Sequence, residues 1–303
     1  MKVTPKAMEA KMISSQGVDI EVHTHAAKTG VMDILALLCS GPVYACAVTR
    51  IEASMRSINV MQMPGYGKSA FKTEIGAVTL DDHMAAIDLA VPSEGTVLYG
   101  YSHGGFFTTQ YALKHGDKVR ALVLVEPALY STKEDLLNRA ALIDAGKDVD
   151  SMATMLKAVE SSDSRSEAQF RQVAEKLVAN VNSGSTVAQE YRIRADNAVS
   201  EEDLAKLDIP VLLIAGTESQ ASFMVKRAFQ SIPHASVCWI KGATHLSLEK
   251  IEYADQIARA VDAFLENIGA NVSSGFKNLM AELNNSGVAL DMAEQNGVSE
   301  QAS

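Results

Sequence analysis

The sequence predicts an α/β domain: a mostly parallel central sheet with helices on both faces and an inserted helical cap. Three observations carry that reading. Apolar, β-branched runs of strand length alternate with segments of helical periodicity, the pattern of strands buried on both faces. The chain has 303 residues, of which 47% are hydrophobic. That is enough for one large domain with an inserted subdomain. Between Tyr130 and Leu207, about 75 residues carry no convincing strand, too long a span for a loop.

In chain order, Lys11 to Ser15 and Asp19 to His25 read as two strands joined around Gly17. The second alternates Ile20, Val22 and Thr24 with Glu21, His23 and His25, as an exposed antiparallel edge pair would. His23 and His25 face one side, but no third ligand is near, so they read as solvated edge histidines rather than a metal pair. Val31 to Leu38 is a nearly unbroken apolar strand, followed by a helix over Val43 to Ser57 and a strand over Ile58 to Met63. Thr79 caps a helix over Leu80 to Ala90. Strands follow at Val119 to Val125, Pro210 to Ala215 and Ser236 to Ile240.

Between the first and second of the strands just named, Ser131-x-x-Glu134 and Ser200-x-x-Asp203 are capping boxes for two of four or five helices. Met152 and Met155 supply apolar faces there, either for a substrate pocket or, by the commoner use, for helix packing. The closing helix, Leu248 to Asn267, puts Ile251, Ala254, Ile257, Ala258, Val261, Phe264 and Leu265 on one face, and Gly269 stops it. The domain reading is therefore a discontinuous core, 1–130 and 208–270, with a cap at 131–207. The polar stretch 271–303 reads as a mobile tail with one short helix over Phe276 to Leu283.

Composition excludes several classes. The formal net charge is -10 and no Lys/Arg cluster stands out, which argues against nucleic acid or an anionic membrane as partner. The three cysteines, Cys39, Cys46 and Cys238, are scattered and odd in number, so they predict free thiols in a reducing compartment, not a disulfide frame or a metal site. The first 17 residues have no apolar signal core and no 18-residue apolar run exists, so the expectation is a soluble cytoplasmic protein.

The chemistry concentrates at Thr96 to Phe107. A short apolar strand turns through Gly100-Tyr101-Ser102-His103-Gly104 into a helix. Gly-x-Ser-x-Gly between strand and helix is a nucleophile elbow. A Cβ at Gly100 or Gly104 would collide with the neighbouring element, and the turn holds the Ser102 hydroxyl clear of the backbone. It also aims the first helix amides at the space where an oxyanion would form. In a parallel sheet the chemistry sits at the carboxyl ends of the strands, and those ends carry Ser102, Glu126, Glu218 and His245.

From about Lys11 to Asn267 the chain resembles the α/β-hydrolase fold family. The resemblance rests on Pro64-Gly65-Tyr66-Gly67-Lys68-Ser69, then Gly100 to Gly105, then Gly242-Ala243-Thr244-His245, in that order. It implies acyl transfer to water through an ester of Ser102, with His245 as base and an acid between them in the chain. Three departures matter. Where the family often has His-Gly after its third strand, this chain has Cys39 and Ser40 before Gly41, so the implied oxyanion donors are the Gly41 and His103 amides; Pro42 has no N–H. Gln62 stands where Asp is common, which should affect the loop rather than the chemistry. Ser219 stands where many relatives carry the acid. That leaves Glu126, at a strand end from which some members supply it, or alternatively Glu218.

The resulting expectation is a serine hydrolase, carboxylesterase- or thioesterase-like. It would cleave an ester or thioester of a small, largely apolar substrate, without cofactor or metal. Two other readings of the same fold stay open: a lyase or cofactor-free oxygenase using the His–acid pair as base, and a non-catalytic ligand receptor.

Overall fold

A computed structural model describes residues 9–25, 34–37, 58–160, 166–179, 181, 183–248, 250–269 and 289–291. The predicted helix at 43–57, the candidate donor Gly41, Cys39, Cys46 and the predicted helix at 276–283 lie outside these.

The strands are β1 (Glu9–Ser14), β2 (Val18–His25), β3 (Ile34–Leu37), β4 (Ile58–Met61), β5 (Ala70–Phe71), β6 (Thr96–Tyr101), β7 (Val119–Val125), β8 (Val211–Gly216), β9 (Ala235–Ile240) and β10 (Ala289–Asp291). They form one sheet in the order β1-β2-β4-β3-β6-β7-β8-β9-β10, with β5 paired to β2. From β4 to β9 every pairing is parallel, while β1, β2, β5 and β10 join antiparallel. The chain reverses direction across the sheet around β3, so that β4 lies on one side of β3 and β6 on the other. Ligands in open α/β sheets bind outside the carboxyl ends of the strands at such a reversal.

The helices are α1 (Leu80–Asp88), α2 (His103–Lys114), α3 (Lys133–Asp144), α4 (Asp148–Val159), α5 (Glu167–Val178), α6 (Gly184–Asp196), α7 (Glu201–Leu204), α8 (Ser222–Ser231) and α9 (Ile251–Gly269). Side chains alternate across the pleat. Leu98, Leu122, Leu124 and Leu213 pack on one face with residues of α1, α2 and α8. Val97, Tyr99, Val123 and Leu212 pack on the other with α9. Along α9, Ala254, Ile257, Ala258, Val261, Phe264 and Leu265 are all buried, as their spacing requires. Each large apolar side chain so buried contributes about 1.5–3 kcal/mol.

Several local expectations need correction. The antiparallel β1–β2 pair does lie at one end of the sheet, but within it β2 is covered, by β1 on one side and β4 on the other. Its Glu21 is buried, and the carboxylate accepts the Lys68 N–H at 2.9 Å, tying β2 to the turn at 65–69. Thr132, not Ser131, caps α3, accepting the Asp135 N–H at 3.1 Å. Ser131 Oγ instead accepts from Arg194 Nη2 at 3.0 Å, a tertiary bond that outcompetes the local cap. The Thr79 cap and the Ser200–Asp203 capping box form where the sequence puts them. Within the stretch read as a mobile tail, Ala289, Leu290 and Asp291 pair with β9, whose outer edge is a ready template for a further strand.

Candidate active site

Ser102 follows β6 directly and opens α2. Its backbone sits at φ 50°, ψ −113°, a strained conformation for a non-glycine residue. Two bonds fix it there: Ser102 N–H donates to Val125 O, and Ser102 O accepts from Ala128 N–H, both at 2.9 Å. A Cβ on Gly100 would lie 2.7 Å from Gly105 Cα, and one on Gly105 would lie 2.8 Å from Pro127 Cα. Strand, helix and the chain after β7 thus approach so closely that both positions exclude a side chain. Gly105, which the five-residue motif omits, is as constrained as Gly100.

Glu126 follows β7 with φ 40°, the other non-glycine residue with positive φ among those described. Its N–H donates to Ile214 O at 3.0 Å. The carboxylate is fully buried and collects three donors. Oε1 accepts from Gly216 N–H at 2.9 Å; Oε2 accepts from Ser219 Oγ at 2.7 Å and from His245 Nδ1 at 2.6 Å. His245 is 2% exposed, in a short 3-10 turn after Gly242. Its carbonyl accepts from Tyr101 OH at 2.7 Å, and the two rings stack with centroids 5.1 Å apart. His245 Nε2 lies 3.1 Å from Ser102 Oγ. An ionised carboxylate only accepts, so Nδ1 carries the proton and Nε2 is left to accept from the serine hydroxyl.

Glu218 is elsewhere. Its side chain is exposed, and its carboxylate is 3.5 Å from Thr217 Oγ1. Ser219, which replaces the commoner acid, supports the carboxylate that does reach His245. Sequence reading passed over that role because a serine hydroxyl there has no local signature. His103 is the first residue of α2, so its N–H belongs to the first turn, where amides have no intrahelical acceptor. The His103 ring points into a buried network that sequence reading also missed. Nε2 lies 3.0 Å from Glu190 Oε2, Nδ1 lies 3.0 Å from Arg194 Nη1, and Tyr66 OH donates to Glu190 Oε2 at 3.2 Å. The signal available for it was the Glu190–Arg194 charge pair spaced i,i+4 on one helix face.

A cavity of about 290 Å³ opens over Ser102 and His245. Met152, Met155, Val159, Leu177, Phe223 and Met224 form an apolar wall; Tyr66, Tyr191, Arg139 and Arg194 form a polar one. Met152 also packs with Leu156 and Phe170, so it serves both uses. Glu160, just after α4, accepts the Leu246 N–H at 2.7 Å and ties the His245 turn to this helix. Cys238 is buried, and burial pushes its thiol well above the usual range. Among the described residues, no group of three His, Cys, Asp or Glu side chains has the arrangement of a metal site, and no helix is long and apolar enough to cross a membrane.

Fold, elbow and the buried Ser–His–Glu contacts define an α/β protein with a buried Ser–His–Glu cluster at the carboxyl edge of a parallel sheet. A family profile described as the alpha/beta hydrolase fold matches residues 56–250, and the chain belongs to that family. Over 93 residues the chain is 34% identical to the "Pimeloyl-[acyl-carrier protein] methyl ester esterase" of Yersinia enterocolitica; that stretch is 31% of this chain and 34% of that protein. The chain thus spans about a third of the length of this curated relative. Among solved structures, the enol-lactonase of Burkholderia xenovorans LB400 superposes with a TM-score of 0.66 at 17% identity, covering 84% of this chain and 100% of the other. The bromoperoxidase of Bacillus anthracis gives 0.65 at 19%, covering 85% and 100%. At such identities these two likenesses speak for the fold alone.

Proposed function

We propose that this protein is an esterase-type serine hydrolase in which Ser102, His245 and Glu126 act as the triad. The observation that carries the reading is the unbroken buried chain from Ser102 Oγ through His245 to the Glu126 carboxylate, with contacts of 3.1 and 2.6 Å. Esterase activity in the partly aligned Yersinia relative is consistent with it.

In this mechanism His245 Nε2 takes the Ser102 proton as Oγ attacks the carbonyl carbon of an ester or thioester. The Glu126 carboxylate holds the Nδ1–H tautomer and stabilises the imidazolium that forms. The His103 amide, and by family resemblance the Gly41 amide, stabilise the oxyanion; one such donor is worth about 3–4 kcal/mol of barrier. His245 then gives its proton to the leaving group. Water, deprotonated in turn by His245, attacks the acyl-serine and releases the acid. No step calls for a cofactor. The helices at 131–207 act as a cap whose apolar wall receives a small, largely apolar part of the substrate.

Two measurements test the reading. A fluorophosphonate probe is expected to label Ser102. Ser102→Ala is expected to lower ester turnover by several orders of magnitude with little change in melting temperature. A folded Ser102→Ala protein retaining more than about a tenth of the activity would remove the covalent mechanism.

A further inference from the structure

The polar wall of the cavity is built in a way that an apolar substrate alone does not explain. Arg139 and Arg194 both line the cavity and are 7% and 4% exposed. Both guanidinium carbons lie against one ring, 5.9 and 6.0 Å from the centroid of Tyr191. In each, the buried Nε has no hydrogen-bond partner. Buried charge is costly unless paired, and two like charges beside one ring are costlier. Neither arginine has an ion pair with a carboxylate among the described residues.

No nearby acid among the described residues pairs directly with either arginine. Glu190 gives its Oε2 to Tyr66 and His103 and favours the Arg194 charge only through space, so one buried carboxylate faces two buried guanidinium groups. Asp135 is exposed and accepts from Thr132 Oγ1 in the cap of α3. Arg194 is anchored by Nη1 to His103 Nδ1 and by Nη2 to Ala128 O and Ser131 Oγ. That anchoring orients the fork and leaves its Nε–H unmet. The Arg139 guanidinium lies against the Tyr191 ring and hydrogen-bonds that side chain. Burial presses Arg194 down to about 10, which leaves it charged at neutral pH.

We propose that Arg139 and Arg194 form an anion subsite, and that the ester taken by Ser102 carries a free carboxylate remote from the scissile bond. This rests on the hydrolase reading and names its substrate class: half-esters of dicarboxylic acids or esters of comparable charge. An Nε–H and an Nη–H on one edge of a guanidinium match the two oxygens of a carboxylate, which then supplies the missing countercharge. The apolar part of the lining takes the methylene chain between carboxylate and ester. The cavity admits one short chain of that kind.

The test compares monomethyl with dimethyl esters of straight-chain dicarboxylic acids from glutaric to suberic. The wild type is expected to favour the best half-ester over its diester by at least about tenfold in kcat/KM. Arg139→Gln is expected to cut that ratio by at least about tenfold, and Arg139→Lys to restore it only in part, because an ammonium lacks the fork. A wild-type ratio at or below one, or a ratio that Arg139→Gln leaves unchanged, overturns the subsite.

Calorimetric binding of the free dicarboxylates to Ser102→Ala reads the subsite without turnover. Saturable binding is expected, and its absence overturns the proposal. Should Ser102 resist the fluorophosphonate and neither ester turn over, the hydrolase reading fails by itself, and dicarboxylate binding still decides the subsite. Should Arg139→Gln not fold, the wild-type ratio, the binding measurement and Arg139→Lys decide.

Discussion

Two fully buried glutamates flank the elbow, and each bonds a histidine. Glu126 meets His245 Nδ1 at 2.6 Å, and Glu190 meets His103 Nε2 at 3.0 Å. The pairs differ in what the far ring nitrogen sees. For His245 it is the Ser102 hydroxyl; for His103 it is the Arg194 guanidinium. A nitrogen that accepts from Arg194 has no free lone pair to take a proton, and a guanidinium does not give one up. The pairs also differ in how the carboxylate is held. Both oxygens of Glu126 are engaged, whereas Glu190 Oε1 has no partner. One pair therefore reaches the serine hydroxyl, and the other braces α6 against the elbow. His103 is adjacent to the serine in the chain, yet it is His245, far along the chain, that faces the hydroxyl.

The largest effect expected of any test of this contrast is at Glu126. Glu126→Gln should lower turnover on the order of 10³–10⁴-fold, because the amide no longer fixes the Nδ1–H tautomer or balances an imidazolium. A loss under about tenfold in the folded variant would break the contrast.

His103→Ala should do the reverse. It keeps the backbone amide but strands the buried Glu190 and Arg194 groups, at a cost of about 3–5 kcal/mol in stability. Urea unfolding measures this, with turnover falling far less than in Glu126→Gln. Comparable turnover losses in the two variants would make His103 part of the chemistry.

A third buried histidine sharpens the comparison, because it has neither partner. His83 is stacked on Phe107 at 4.5 Å, and neither ring nitrogen has a hydrogen bond. Burial lowers it from 6.5 to about 4. The fold favours its neutral form, so its contribution is fully present above about pH 6.5 and is lost as pH falls toward about 4. The loss amounts to about 3 kcal/mol. Urea titrations between pH 7 and 4 should show this acid limb in the wild type and a flatter one in His83→Phe; parallel curves would remove the assignment.

Ser219→Ala deletes one donor to Glu126 Oε2 and leaves the other contacts, so turnover should fall about 5–30-fold. Glu218→Gln, at an exposed position, should cost under about tenfold. If Glu218→Gln were the more damaging of the two glutamate-to-glutamine changes, the acid would move to Glu218.

The fold was legible wherever local rules and tertiary demand agree. Strands such as Val119–Val125 must be apolar where both faces are buried, from Ala121 to Val125 here, and α9 must repeat its apolar positions at the helical period. The elbow was legible because close approach at Gly100 tolerates no Cβ, a constraint written into one residue type.

What tertiary structure alone decided were the groups whose partners are distant in the chain. Glu126 and Glu218 are the same residue type at neighbouring strand ends, and position along the chain favours Glu126 without excluding Glu218. The choice was made by the turn after Glu126, with its positive φ, and by Gly216 and Ser219 converging on one carboxylate. The same holds for Ser131, drawn from a helix cap to Arg194, and for Glu21, drawn inward by the Lys68 amide. Periodicity records which side of an element faces the core. It does not record which polar group waits there, because a hydrogen bond depends on distance and angle between atoms that only the folded chain brings together.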